Sequence, residues 1–390
     1  MIKIAKRVDC VLPSPPRAIF DRASQLTDVV DLTLGDPDLP PPENVRKAAC
    51  NAIMAGKTRY SANAGLLPLR EKVAEDTFLH TGIGVDPGKE VIITVGAMEA
   101  SFLTLYSVLE EGDEVIIHAP FWINYSQVVR SLGATPIFVY TKPEEDFQLT
   151  AKAVEEALTP RTKLVILNTP NNPTGAIIPE GELEKIASLA VERDFLVLSD
   201  EIYESLIYDG KKSCSIRTFP GMKDRTIVIN GMSKRFAMTG WRLGWAIAPE
   251  NLISQMTKMQ ENIVACAPLP AQYAGIEALS PATDPSYIRE EFQKRRDVLY
   301  NGINSIPGLK CKPIPATFYA MVDISGSGME AEEFVYALLE KERVATVHGP
   351  AYGGERYKDF IRIAFTMKEE RLKEAVRRIG NFMESLKKQK

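Results

Sequence analysis

The chain has 390 residues, of which 45% are hydrophobic and 25% charged, and a formal net charge of −4. This is a globular composition, long enough for two packed units, and its mild acidity argues against a nucleic-acid surface. No apolar run approaches the roughly 18 residues that a membrane span requires.

The opening MIKIAKRVDCVLPSPPR is too charged, and too soon broken by proline, to be a signal peptide. Cys10, Cys50, Cys214, Cys266 and Cys311 have neither metal-ligand nor redox spacing, and their odd number suits reduced thiols in a cytoplasmic setting. His80, His118 and His348 are the three histidines, so a multi-histidine metal centre is not expected. The proline cluster Leu39 to Pro42 sets an N-terminal arm apart from the rest of the chain.

Short apolar runs then alternate with helical patterns. EVIITV (90–95), DEVIIHA (113–119), TPIFVY (135–140), TKLVILN (162–168), FLVLSD (195–200), RTIVING (225–231) and WRLGWAIA (241–248) read as strands. Most are apolar on both faces, as in the buried strands of a largely parallel sheet. EGELEKIASLAVERD (180–194) is one of the intervening helices, which makes βαβ units. Past about residue 281 the texture becomes more charged, beginning with a helix over 285–303. The expectation is an α/β fold. Its large domain (46–284) has a mostly parallel seven-stranded sheet flanked by helices. A smaller α+β domain combines the arm (1–45) with the C-terminal part (285–390).

In such sheets ligands gather beyond the carboxyl ends of the strands, so the residues there are the candidates. After 90–95, Gly96 opens a helix whose first amides, at Ala97 and Met98, could face an anion; a plain connection is the alternative. After 113–119, Trp122 could stack on a flat ligand or be an ordinary core aromatic. After 162–168, the TPNNPTG turn could aim Asn172 at a ligand or be purely structural. Asp200 ends the next strand, with Tyr203 three residues on. A buried carboxylate there needs a partner, unless it caps a helix with Glu201 beside it.

Ser233 and Lys234 are expected in the loop beyond the end of RTIVING. In WRLGWAIA, strict alternation would put Arg242 on a face shared with Gly244, Ala246 and Ala248, leaving space for what the guanidinium binds. KDFIRIAF repeats the device: Arg362 and Ala364 face away from Ile361, Ile363 and Phe365, so Arg362 could fork a carboxylate or form a surface ion pair. Phosphate-binding amides, a flat stacking partner, a buried carboxylate, a loop lysine and a carboxylate fork together suit pyridoxal phosphate bound to a lysine, with an amino acid as substrate.

The motifs LGDPD, KTRYSANAG, TVGAMEA, PFWINY, NTPNNPTG, SDEIYE, SKRFAMTGWRLG and FIRIAF together resemble the class I/II aminotransferases of the aspartate aminotransferase fold. They keep the family's order over nearly the whole chain. The resemblance implies transfer of the amino group of an L-amino acid to a 2-oxo acid by ping-pong kinetics, with pyridoxal 5′-phosphate held as a Schiff base on Lys234. It implies that Asp200 pairs with the pyridine nitrogen, that Tyr203 and Asn172 meet the ring oxygen, and that Trp122 stacks on the ring. Ala97, Met98, Ser233 and Arg242 would hold the phosphate, joined by Tyr60 from the neighbouring subunit of a homodimer. Arg362 would take the substrate α-carboxylate, with the Gly35 backbone closing over it. A lyase or a cyclopropane-forming synthase on the same scaffold remains open, and a pyridoxal-phosphate-sensing regulator is a more distant alternative. SANAG lacks the proline that often comes after the tyrosine, and Glu99 stands where glutamine is common. His348, where the family usually has proline, is expected to line the pocket near Tyr352 or to cap a turn. Ile19, Phe121, Phe318 and Tyr352 are expected as apolar pocket edges favouring neutral or aromatic amino acids.

Overall fold

A computed structural model of the chain describes residues 2–388. Among them thirteen strands form three sheets. The largest holds β2 (Val91–Thr94), β3 (Glu114–Ala119), β4 (Thr135–Tyr140), β5 (Thr162–Asn168), β6 (Leu196–Asp200), β7 (Thr226–Gly231) and β8 (Gly244–Ile247) in the order β2-β8-β7-β6-β5-β3-β4. Neighbours from β7 through β6, β5 and β3 to β4 are parallel, whereas β8 is antiparallel to both β7 and β2. This is the mixed, mostly parallel seven-stranded sheet expected from the apolar runs.

The alternation within each strand feeds two cores. In β5, Leu164 and Ile166 enter one cluster with Val115, Ile117, Leu198 and Ala246. Val165 and Leu167 enter another with Leu183, Ile186 and Ala190 of the helix Glu180–Arg193. Each such side chain contributes roughly 1.5–3 kcal/mol on burial, and with both faces covered the central strands have no polar face to show.

A second sheet, in the order β12-β13-β10-β9, contains β9 (Lys310–Cys311), β10 (Tyr319–Asp323), β12 (Val347–His348) and β13 (Phe360–Ala364). The chain ends meet where β1 (Val30–Asp31) pairs in parallel with β11 (Val344–Ala345). Val30, Leu32, Val344, Ile361 and Ile363 then share one core. Among the described residues no helix is long and apolar enough to cross a membrane.

The strand expected over 241–248 starts later than its alternation suggests. Thr239–Trp241 forms a 3-10 turn, and Arg242 has φ 53°, in the left-handed region. That conformation breaks the pleat, so Arg242 shares no strand face with Gly244, and only 244–247 pair.

Candidate active site

β2, β3, β5, β6 and β7 all run the same way, so their carboxyl ends lie along one edge. Because β8 runs against them, its amino end, and Arg242 just before it, reaches that edge too. A cavity of about 540 Å³ opens there, lined by Gly35, Ala97, Met98, Trp122, Asn172, Asp200, Tyr203, Ser233, Lys234 and Arg242 among others. The volume suits a small-molecule ligand. The sequence separates these residues by up to about two hundred positions, and the sheet edge brings them together.

The helix Ala97–Val108 starts at the cavity wall with Gly96 as its N-cap. Its first-turn amides have no carbonyl four residues back. Gly96 has φ 77°, and a Cβ there would lie 2.4 Å from Arg242 Nη2. Only glycine leaves this helix end and the guanidinium room to sit side by side. Arg242 itself donates from Nη1 to the Thr239 carbonyl at 2.9 Å.

Asp200 is buried, 5% exposed. Its Oδ2 accepts from the Tyr125 hydroxyl at 2.5 Å, and its Oδ1 from the Ile202 N–H at 3.1 Å. Burial pushes its carboxyl above the usual range, opposed by the Tyr125 and Ile202 hydrogen bonds and by the charge of Lys234. No helix comes after Asp200; residues 202–205 are a turn, so the capping alternative has nothing to cap. Tyr203 is buried, its hydroxyl 3.4 Å from that of Tyr319.

Lys234 is half-buried at the cavity wall and donates from Nζ to the Gly35 carbonyl at 2.8 Å. Burial lowers its amine to about 8; Arg242 and Arg362 add to the lowering, while Asp36 and Asp200 oppose it. The contact with Gly35 leaves no space for a side chain there, since a Cβ would lie 1.7 Å from Tyr319 Oη. Gly35→Ala should therefore destabilise the fold by about 1–3 kcal/mol, read as a lower unfolding midpoint in urea; an unchanged midpoint would mean that this approach is not tight.

In the turn after β5, Asn171 makes the closing hydrogen bonds: its side-chain Oδ1 accepts from the Thr174 hydroxyl at 2.8 Å, and its carbonyl from the Gly175 N–H at 2.8 Å. Asn172 is thereby spared for the cavity. Its N–H donates to Asn168 Oδ1 at 2.8 Å, while its own Oδ1 lies 3.5 Å from Arg362 Nη1.

Arg362 is 4% exposed, so it is not a surface ion pair. Its guanidinium is sandwiched between the rings of Tyr319 (4.5 Å) and Tyr352 (4.8 Å) and also donates to the Thr33 carbonyl. Its Nε is buried with no partner among the described residues. The guanidinium stands just behind Asn172 and Tyr319 rather than in the lining itself.

Tyr60 is not brought to the cavity of its own chain; it is 85% exposed. The expected apolar edges need correction. Ile19 and Phe318 are fully buried in the core that also holds Val30 and Ile361, Phe121 stacks on Phe138 at 4.8 Å, and Tyr352 packs on Arg362. None of the four lines the cavity, because each points into a core. The apolar lining comes instead from Leu34, Met98, Trp122, Ile202 and Tyr319. His348 neither lines the cavity nor caps a turn with its side chain: it pairs in β12 with Ile361, buried, and its Nδ1 has no partner among the described residues. Glu99 turns back to accept from the Val95 N–H at 2.5 Å.

Tyr125 and Asn168 belong to the lining and were missed in the sequence. A polar residue ending an otherwise apolar strand was the available signal for Asn168. For Tyr125 it was its place one helical turn after Trp122, which it meets edge-on at 5.2 Å.

Comparison with known proteins completes the description. The family model for aminotransferase class I and II matches residues 27–379. The aromatic-amino-acid aminotransferase 2 of Thermococcus litoralis is 38% identical over 98% of this chain and 99% of its own length. The aspartate aminotransferase of Pyrococcus abyssi is likewise 38% identical, over 98% and 99%. Among solved structures, the aspartate aminotransferase from Thermus thermophilus with maleate superposes with a TM-score of 0.92 at 37% identity, covering 98% of this chain and all of that one.

Proposed function

Because the chain belongs to the class I and II aminotransferase family, we propose a specific division of labour among its site residues. The protein is a pyridoxal-phosphate-dependent aminotransferase that moves the amino group of an L-amino acid to a 2-oxo acid by ping-pong kinetics. The observation that carries the assignment is the facing of the Lys234 amine and the Asp200 carboxylate across one cavity, with the Gly96–Arg242 cradle at its end.

The residues present fit pyridoxal phosphate. The Ala97 and Met98 amides, the Ser233 hydroxyl and Arg242 would hold the phosphate, Trp122 would cover the ring, and Asn172 and Tyr203 would meet the ring oxygen. When bound, the cofactor supplies a conjugated, electron-withdrawing ring that takes up the electrons of a breaking Cα–H bond. Asp200 would hold a proton on the ring nitrogen by charge, with Tyr125 keeping that carboxylate aimed. Lys234 would hold the aldehyde end, and its amine, when free, would take the Cα proton. An amine brought down to about 8 is available as a base near neutrality. Arg362, whose Nε is the donor without a partner among the described residues, would bind the α-carboxylate, and the Gly35 backbone would close over the substrate.

Leu34, Ile202 and Tyr319 add apolar surface to the rest of the lining, and the lining cations Lys234 and Arg242 already have tasks. This supports neutral or aromatic donors. The chain is taken as a homodimer, supported by the exposed apolar residues Ile2, Ile4, Val8, Leu12 and Met54, with Tyr60 reaching the partner's phosphate. The division into 46–284 and a smaller unit from 1–45 and 285–390 is supported by the β1–β11 pairing of the two ends. A cytoplasmic location is supported by the five unpaired cysteines.

The test is a donor screen against 2-oxoglutarate and pyruvate, scored by keto-acid release. Phenylalanine, tyrosine and leucine should exceed aspartate in kcat/KM by about tenfold or more. A preference for aspartate would overturn the substrate class, and the absence of amino transfer from every donor would overturn the division of labour.

A further inference from the structure

Behind the turn that carries Asp200 and Tyr203, on the side away from the cavity, lie two carboxylates with no task in the reaction. Glu201 is 7% exposed, and its Oε1 accepts from Ser199 Oγ at 2.8 Å and Ser215 Oγ at 2.6 Å. Glu204 accepts from Asn230 Nδ2 at 2.7 Å. Asn230 sits in β7, the strand that delivers Ser233 and Lys234, and its own Oδ1 accepts from the Gly231 N–H at 2.7 Å. The two glutamates thus tie the Asp200–Tyr203 turn to β6, to Ser215 and to the Lys234 strand.

The charges around them do not balance. Asp76 and His80 face the pair from the helix Leu67–Thr81, Arg235 from beside Lys234, Arg217 from its 3-10 turn, and Asp200 from across the turn. Arg235 spends Nη1 on both oxygens of Asp76, at 2.9 and 2.8 Å. Arg217 donates to Glu90 at 2.9 Å. Neither arginine hydrogen-bonds to Glu201 or Glu204, and His80 is half exposed. Two enclosed carboxylates without a cation of their own cannot both ionise cheaply. A cavity of about 30 Å³, room for a water, touches both. A wider one of about 660 Å³, whose walls include Lys211, Lys212, Asp284 and Arg289, also touches both and gives protons a route.

We propose that Glu201 and Glu204 are positioning residues which share one proton at neutral pH and so hold the Asp200–Tyr203 turn against the cofactor; when the second carboxylate ionises, their repulsion loosens that turn. The inference rests on the reading that Asp200 and Tyr203 hold pyridoxal phosphate. Burial first, and Glu204 next, push Glu201 up to about 7, which sets the range to examine. A carboxyl raised in the folded state contributes stability that is full below its ordinary value of 4.5 and is lost as pH rises through about 7.

The test compares wild type with Glu201→Gln, Glu204→Gln and Glu201→Ala by two readouts: retention of pyridoxal phosphate by the holoenzyme on dialysis between pH 6 and 8.5, and thermal melting of the cofactor-stripped protein between pH 5 and 8. Wild-type cofactor affinity should weaken over this range by about tenfold more than that of either glutamine variant. Glu201→Ala should bind less tightly than Glu201→Gln at every pH, having lost the serine hydrogen bonds. The melting advantage of the glutamine variants over wild type should grow from pH 5 to 8. Parallel retention curves in wild type and both glutamine variants, or a melting difference independent of pH, would overturn the proposal. If no form, wild type included, retains pyridoxal phosphate, the reading of the site fails, and the melting series still decides whether the pair shares a proton. If one glutamine variant does not fold, the other carries the comparison.

Discussion

Lys234→Ala should lower amino transfer by about 10⁴-fold or more, the upper range for a positioned base, with loss of covalent attachment added. The mutant should also lack the visible absorbance that a lysine-bound cofactor would give the wild type. The fold should survive, because the lysine amine is a burden on it. Its folded value of about 8 lies below the ordinary 10.5, so below pH 8 the chain carries an enclosed ammonium that it would hold more easily unfolded. That cost is full below about pH 8 and fades as pH rises toward 10.5. A cofactor-free Lys234→Met protein should accordingly exceed wild type in stability at pH 7 by up to about 3 kcal/mol, the advantage closing above pH 8. Wild-type turnover in Lys234→Ala would refute the assignment. A collapse of the fold in both variants would assign the residue to structure instead.

Asp200→Asn is the second large effect. It keeps the shape and the hydrogen bond to Tyr125 while removing the charge that would hold a proton on the ring nitrogen. We expect kcat/KM to fall by about 10³-fold, in the range of lost acid–base and charge stabilisation. Tyr125→Phe leaves the charge and deletes one hydrogen bond, so it should cost about tenfold. Stability should not track activity. Asp200 is raised above its ordinary value by burial, so its contribution to stability is present at low pH and lost as pH rises through the folded value. At pH 7 the cofactor-free Asn variant should melt at or above wild type. Steady-state kinetics with parallel melting curves separate the two; equal losses from Asp200→Asn and Tyr125→Phe would mean that aim, rather than charge, is what matters.

Much of the fold was legible because the central strands are buried on both faces. A run such as Leu164–Leu167 has no polar alternation to confuse with a helix, and its turn residues mark its end. The chemistry at the strand ends was legible for a related reason: Asp200 ends one apolar strand and Lys234 comes three residues beyond the end of another. What failed was inference across a break in regularity. Alternation assumed a continuous strand from Trp241, but the left-handed turn at Arg242 removed that residue from the pleat. Arg242 still reached the cavity, for a topological reason that no local pattern contains: β8 runs against its neighbours. The apolar pocket edges failed because hydrophobicity marks burial and not what a residue is buried against. Ile19 and Phe318 went to a core, whereas the lining drew on Leu34 and Tyr319 nearby. Tyr125 was hidden because only the contact with Asp200 gives its hydroxyl a meaning.

The union of the two chain ends bears on how the protein is made. Thr33 and Arg362, which meet behind the cavity wall, are 329 positions apart, and Leu34 likewise waits for Thr366 and Asp38 for Arg295. On a ribosome residues 33–38 must therefore stay undocked while the segments between them and their partners are synthesised. The seven-stranded sheet, complete by residue 247, can close long before them. A nascent chain stalled before residue 344 lacks the strand against which Val30 docks, so the contact between Thr33 and Arg362 forms only once that later part of the chain has been made.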